Sequence, residues 1–299
     1  MSLFNSLRCR PFALLWGGQT ISRFGDGLFA IALSWWVLEK TGSAAAMGLV
    51  QIFTILPKLI FLLIGGVLAD RLPRLRVMLA SDGSRGILLA IVAVLAATQR
   101  LEVWIVYAAS LVFGFVDAFF QPAYAAVMPD VVPKALLPSA NSLTALSGQF
   151  AGIFGPAIGG IIVAAGGANG PSLAFALDGV SFFAAAACVL PLIGQIGGPK
   201  RKTDAPPPSA VRELREGFAA VFGSPWLWLT IGLAAFANMF VSGPISVSLP
   251  FLIKDNLHAD ASALGAIFSA FSIGAIIGAV LTGRARKLKH RGPITYLAW

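Results

Sequence analysis

The chain is 299 residues long, 57% hydrophobic and only 12% charged, with a mean hydropathy of +0.83. Soluble domains carry about 25% charged residues; half that leaves too little polar surface to coat a globule in water, which excludes a soluble enzyme, a disordered chain and a coiled coil. The net charge of +9 is not a nucleic-acid footprint, because the basic residues sit in short loops between apolar runs, where Lys and Arg mark the cytoplasmic side of membrane proteins.

A helix needs about 20 apolar residues to cross a bilayer. In chain order the runs predict spans over 11–38, 46–69, 76–98, 102–127, 140–165, 172–195, 225–250 and 261–283, with a ninth beginning over 293–299. The first run is too long for a signal-peptide core and carries Arg23 and Asp26, so it counts as a span. With the N-terminus inside, 16 Lys/Arg fall on the cytoplasmic side and 3 outside. That bias predicts a multi-pass protein of the cell membrane, lipid around it and the N-terminus cytoplasmic. Residues 197–223 differ: Pro206-Pro207-Pro208 and the mixed charges Arg212, Glu213, Arg215 and Glu216 read as a cytoplasmic linker ending in a short amphipathic helix. The domain reading is a six-helix bundle over 1–196, a linker over 197–224 and the first part of a second bundle over 225–299. Cys9 and Cys188 make neither a disulfide framework nor a metal site.

A short repeat crosses the linker. Ala46-Met47-Gly48-Leu49-Val50 matches Ala263-Leu264-Gly265-Ala266-Ile267 at an offset of 217, and Gly66 and Gly283 each follow eighteen positions after Gly48 and Gly265. Internal repeats are common in transporters; among 32 glycines, coincidence is the alternative.

Three charges lie near mid-depth at a rise of about 1.5 Å per residue: Asp26, Lys58 and Asp117. Each has polar company at helical spacing: Gln19 and Ser22 with Asp26, Gln51 and Thr54 with Lys58, Gln121 and Tyr124 with Asp117. Charge at mid-bilayer is costly and marks pathways, so these stripes predict a polar cavity in which Lys58 pairs with Asp26 or Asp117. Two readings stay open. In one, protonating the carboxylate weakens the pair while a cationic or polar substrate competes for it. In the other, a static ion pair holds helices together. Asp178, and Asp82 with Arg85 near the inner face, read as structural. Phe115, Phe119, Phe120, Phe150, Trp35 and Trp36 either line an apolar substrate pocket or belong to lipid-facing and core surface.

Three segments carry a family resemblance. Gly66-Val67-Leu68-Ala69-Asp70-Arg71-Leu72-Pro73-Arg74-Leu75-Arg76 follows span two. Span five holds Gly148, Gly152, Gly155-Pro156 and Gly159. Between them runs Pro122 to Leu143, with Pro129-Asp130-Val131-Val132-Pro133. Together with Gly17 to Gly27, they resemble the major facilitator superfamily: its signature loop, the Gly-Pro motif of its drug/proton antiporters, and its macrolide-efflux and enterobactin-exporter branch. The resemblance implies an all-α polytopic fold, with a complete six-helix N-terminal half and the first two to three helices of the C-terminal half. The chain departs from the family's twelve spans and looks truncated. The family's signature loop docks on an eleventh span this chain lacks, and span four carries Asp117 where many antiporters carry an arginine.

The loop residues Gly66, Asp70, Arg71, Arg74 and Arg76 are then expected to act as a conformational latch, pairing with neighbouring helix ends; topology-setting charge is the simpler alternative. The four-residue spacing of Gly148/Gly152 and Gly155/Gly159 suits close helix packing, with Gly274/Gly278 as an expected mate, and Pro156 allows a bend. The expected function is export of drugs or other small molecules, macrolide-like or siderophore-like, by proton antiport with alternating access. An anionic siderophore would recruit Lys58 and Arg23. The rival is a non-transporting fragment, or one needing a complementary C-terminal half. No enzyme activity, cofactor, metal or nucleic-acid partner is expected: the chain has no phosphate-binding Gly-x-x-x-x-Gly-Lys-Ser/Thr loop, no His-Glu-x-x-His and no Gly-x-Ser-x-Gly. The Tyr-Asp and Gly-x-Gly-Asp motifs of an intramembrane aspartyl protease are also missing.

Overall fold

A computed structural model describes residues 4–194, 219, 221–238, 240 and 243–284, with the side chains of 63–71 and 279–284 outside the description. The linker expected over 197–224 lies almost wholly outside the described residues, as does 293–299. The described residues form an all-α protein with α1 (Arg10–Thr41), α2 (Ala44–Arg71), α3 (Arg74–Ala97), α4 (Val103–Val131), α5 (Leu137–Gly166), α6 (Gly170–Val189), α7 (Pro225–Ala237), α8 (Gly243–Phe251) and α9 (Ala261–Arg284). Among the described residues six apolar segments are long enough to cross a membrane; one of them, Lys134–Leu192, folds into α5 and α6. Within the run expected over 225–250 the described residues are helical: α7, then π-helical backbone at 238 and 240, then α8, followed by a π-helical turn at Leu252–Asn256.

Local chemistry sets the helix ends. Gly42 takes a left-handed φ of 57°, which closes α1 through its N–H to the Leu38 carbonyl. The Ser43 hydroxyl then accepts the Ala46 N–H and starts α2. Proline at the first turn opens α5, α6 and α7, where its missing N–H would be unbonded anyway. Asp260 caps α9 by accepting from the Ser262 N–H at 2.9 Å and from the Ser262 hydroxyl. Ser43 and Asp260 are 217 positions apart, as are Ala44 and Ala261, so the repeat read from sequence extends to two helices capped alike.

The chain divides into two compact units. One comprises Met1–Lys200 with Pro250–Ile273, the other Arg201–Leu249 with Gly274–Trp299. The second unit contains α7. Within the first, α1 packs between α5 and α6, α3 between α4 and α6, and α2 lies along α4. An apolar core of Phe12, Leu15, Met78, Ala123, Val127 and Leu143 sits at the end where α1 and α3 begin and α4 finishes.

Small residues bring the backbones together. A Cβ on Gly114 would stand 2.0 Å from the Thr54 carbonyl oxygen, so α2 and α4 touch backbone to backbone there. Gly27 and Gly155 do the same for α1 and α5, and Gly159 lies against Leu28. Pro156 cannot donate to the Gly152 carbonyl, and the Ser272 hydroxyl of α9 takes that carbonyl at 2.8 Å. Gly265 and Ser269 of α9 also meet α5, at Pro156 and the Ile153 carbonyl. The α5 glycines thus mate with α1 and with the first half of α9, earlier along that helix than the expected Gly274/Gly278. The reason is that α1 runs parallel to α5 and offers its own glycine at the crossing.

Gly114→Ala is expected to destabilise the protein by about 1–3 kcal/mol through overpacking. Gly83→Ala, which meets open space, should be neutral or slightly stabilising through helix propensity. Thermal unfolding in detergent checks the opposite signs. The Ser262 hydroxyl, more than any other group, holds the Asp260 carboxyl below its ordinary pKa. A lowered folded-state pKa contributes stability above the ordinary carboxylate range that is lost as pH falls through the folded value. Amide exchange at Ala261–Gly265 should therefore accelerate below about pH 4, and Asp260→Ala should abolish that pH dependence.

Candidate functional site

The Gly114–Thr54 contact positions the charges. Because α2 and α4 run in the same direction, one turn further along brings Lys58 beside Asp117, and Lys58 Nζ lies 2.6 Å from Asp117 Oδ2. Of the two partners left open by sequence, Asp117 is the one in contact. Gln121 Nε2 donates to Asp117 Oδ1 at 3.2 Å. On the far side of the same carboxylate stands Arg85 of α3, its Nη1 3.9 Å from Asp117 Oδ1 and its Nη2 3.5 Å from Asp82 Oδ1. Gln19 of α1 donates to Asp82 Oδ2 at 2.9 Å. One polar chain therefore links four helices: Gln19, Asp82, Arg85, Asp117 and Lys58.

This chain has a dry end and an accessible end. Gln19, Asp82 and Arg85 are each 5% exposed or less. The Arg85 guanidinium lies over Phe120, Phe182 and Phe113, at 4.3, 4.8 and 5.7 Å from the ring centroids. Aromatic faces attract a desolvated cation, and here they cover an Arg85 Nε that has no hydrogen-bond acceptor. At the other end the Lys58 side chain is 41% exposed. Asp26 is exposed too, although it sits in the middle of α1; Arg85, Asp117, Arg23 and Lys58 are all within electrostatic range of it. Among the described residues no cation approaches Asp26 within 4.0 Å. Phe29 stacks on Phe113 at 5.6 Å and packs against Phe175, forming an aromatic layer one turn from Asp26, Asp117 and Asp178.

The remaining expected residues divide. Gln51 is exposed and makes none of these hydrogen bonds. Thr54 turns its hydroxyl back to the Val50 carbonyl, and its own carbonyl meets Gly114. Asp178 is buried on α6 against Gly25, with Ser181 on Oδ1 and no partner on Oδ2. Phe120 covers Arg85, whereas Phe115 and Phe150 are exposed and Trp35 donates to Glu39. In the loop, Arg74 donates to Asp130 Oδ2 at 2.7 Å and to the Ala126 carbonyl at 2.9 Å, tying the start of α3 to the end of α4. Arg76 is exposed. Gly66, Asp70 and Arg71 end α2, and their side chains lie outside the described residues.

Sequence reading missed Arg85 as the hub. The Asp82–Arg85 spacing looks locally satisfied. Yet Arg85 lies eleven residues into a helix of 24, about 16 Å from its start and so near its middle. That count was the available signal.

A family model described as "Transmembrane secretion effector" matches residues 1–298. Macrolide efflux protein A of Streptococcus pyogenes is 25% identical over 283 residues, covering 95% of this chain and 68% of that protein. Enterobactin exporter EntS of Escherichia coli is 28% identical over 290 residues, covering 95% of this chain and 65% of that protein. The chain thus spans about two thirds of the length of these relatives.

Arg85→Gln strands a fully buried Asp82 and should cost about 3–5 kcal/mol. Lys58→Met, at the accessible end, should cost less. Melting temperatures of the two variants in detergent check the order; equal losses would contradict the dry-end assignment.

Proposed function

The chain belongs to the transmembrane secretion effector family of major facilitator transporters, and from that premise we propose that it exports a small amphipathic molecule through a polar path opened by Asp26, Lys58 and Asp117. The single observation that carries the reading is Asp26, exposed in mid-helix, within electrostatic range of the Lys58–Asp117 pair and without an ion-pair partner among the described residues. Exposed charge cannot face hydrocarbon without a large penalty, so this face of the bundle turns toward a polar cavity.

The chemistry follows from the charges. Asp117 is held between two cations, Lys58 on one oxygen and Arg85 on the other. Asp26, unpaired among the described residues, accepts either a proton or the cationic group of a substrate. Occupancy by one excludes the other, and that exclusion is the condition for exchanging an outbound substrate against an inbound proton. A proton on Asp117 would release the Lys58 ammonium and shift the contact between α2 and α4, which couples the charge change to helix packing.

Orientation and location belong to the same proposal. The Lys/Arg asymmetry of 16 to 3 favours a cytoplasmic N-terminus in the cell membrane. The names of the efflux and exporter relatives favour outward movement. Alternating access would use the domain division read from sequence, a bundle over 1–196 and a second over 225–299 joined by 197–224. The Arg74–Asp130 bridge would act as a latch at the end of the first bundle, with Gly66, Asp70, Arg71 and Arg76 beside it. The Gly148–Gly159 segment of α5, with Pro156, supplies the sliding seam. A complementary C-terminal half would complete such a carrier.

The test is accumulation of a fluorescent cationic dye in cells expressing residues 1–299, with and without a protonophore. Expression should lower accumulation, the protonophore should abolish the difference, and Asp26→Asn should remove most of it at unchanged membrane level. Accumulation equal to that of empty cells, with the protein confirmed in the membrane, would overturn proton-driven export by this chain.

A further inference from the structure

A second polar feature stands apart from the Lys58–Asp117 pair. Between α1, α4 and α5 lies an open cavity of about 390 Å³ lined by Arg23, Tyr124, Met128, Asn141, Thr144 and Gly148. That volume lies toward the small end of ligand pockets. We propose that this cavity is a binding subsite for an organic oxyanion carried on a flat apolar body, with Arg23 as the residue that receives the anion.

The fold surrounds its two intramembrane arginines very differently. Arg85 is enclosed, with two carboxylates within 4.0 Å. Arg23 has none within that distance among the described residues. Asp26, three residues further along α1, is in electrostatic range but makes no ion pair with it. A guanidinium has five N–H donors. Arg23 commits one nitrogen, Nη1, to the Thr144 carbonyl at 3.1 Å and lies 5.6 Å over the Tyr124 ring. These contacts fix its direction without neutralising its charge. Arg23 itself lines the cavity, beside the Thr144 that holds its Nη1.

The surroundings are shaped for the guanidinium. A Cβ on Gly148 would stand 3.1 Å from Arg23 Nη1, so the glycine leaves room for the guanidinium where it stands. Tyr124 and Met128 offer apolar surface beside it, and Asn141 adds an amide. A planar fork next to an aromatic ring matches a carboxylate on a ring: two parallel N–H···O bonds for the anion and a face for the body. A charge without counter-ion is unfavourable at this depth, and an oxyanion relieves it. The same chemistry is present in the phosphate of an anionic lipid, so the test separates the two sources. The subsite does not depend on transport, and its test does not require any.

The experiment is equilibrium binding of radiolabelled salicylate to the full chain in nanodiscs of phosphatidylcholine. Saturable binding is expected, weakened at least about tenfold by Arg23→Gln, because hydrogen bonds to a charged group are lost. It should be partly retained in Arg23→Lys and unchanged in Arg100→Gln, which removes the same charge from an exposed loop. Thermal unfolding confirms that each variant is folded. If binding falls in phosphatidylglycerol discs only for proteins that keep Arg23, lipid phosphate competes for the same oxyanion site, which supports the assignment. Binding by folded Arg23→Gln equal to the parent, or no saturable binding by the folded parent in phosphatidylcholine, overturns it.

Discussion

A guanidinium in the middle of a membrane helix must bring its counter-charges with it, and the arrangement of α1 to α4 follows from that demand at Arg85. Two carboxylates on two helices, Asp82 and Asp117, and three aromatic faces surround it. Once Asp117 is held from one side by Arg85, its other oxygen is free to hold Lys58. The accessible charges are therefore not independent of the buried ones. Asp117 is the junction, and whatever changes its charge is felt at Arg85 and, through Asp82, at Gln19 of α1.

That electrostatic chain depends in turn on residues with no side chain. Gly114 permits the backbone contact that places Asp117 against Lys58, and Gly25 lets α6 bring Asp178 up to α1. Gly27 and Gly155 seal α1 to α5. Apolar burial cannot drive helices together in lipid as it does in water, so close backbone approach and interhelical hydrogen bonds carry more of the association. The Ser272 hydroxyl on the carbonyl freed by Pro156 is an example of both at once.

Much of this was legible in the residues. Hydropathy located α1 to α6 within a few residues, because each run is long and bounded by Gly42, Pro73, Pro133 or Gly167. Three polar stripes marked the depth of Asp26, Lys58 and Asp117, and the pair that formed was one of the two foreseen. The π-helical backbone after α7 was not legible, since hydropathy is continuous across it. Arg85 did not stand out as a hub because a neighbour three residues away looked like its whole environment; only the crossing of α3 on α4 brings Asp117 to it. Gly114 escaped notice because a lone glycine carries no spacing pattern. The fork of Arg23 was named only as a possible anion binder, and its cavity depends on three helices meeting.

In the proposed carrier Lys58 and Asp117 form a working charge pair, more than a structural tie. The variant carrying both Lys58→Met and Asp117→Asn separates the two, because a neutral pair of similar shape can keep a fold that either single change weakens. Melting temperature and dye export are measured together on the parent, the two single variants and the double variant. Stability is expected to recover toward the parent in the double variant while export stays lost. Recovery of export along with stability would contradict it and leave the pair a static tie between α2 and α4.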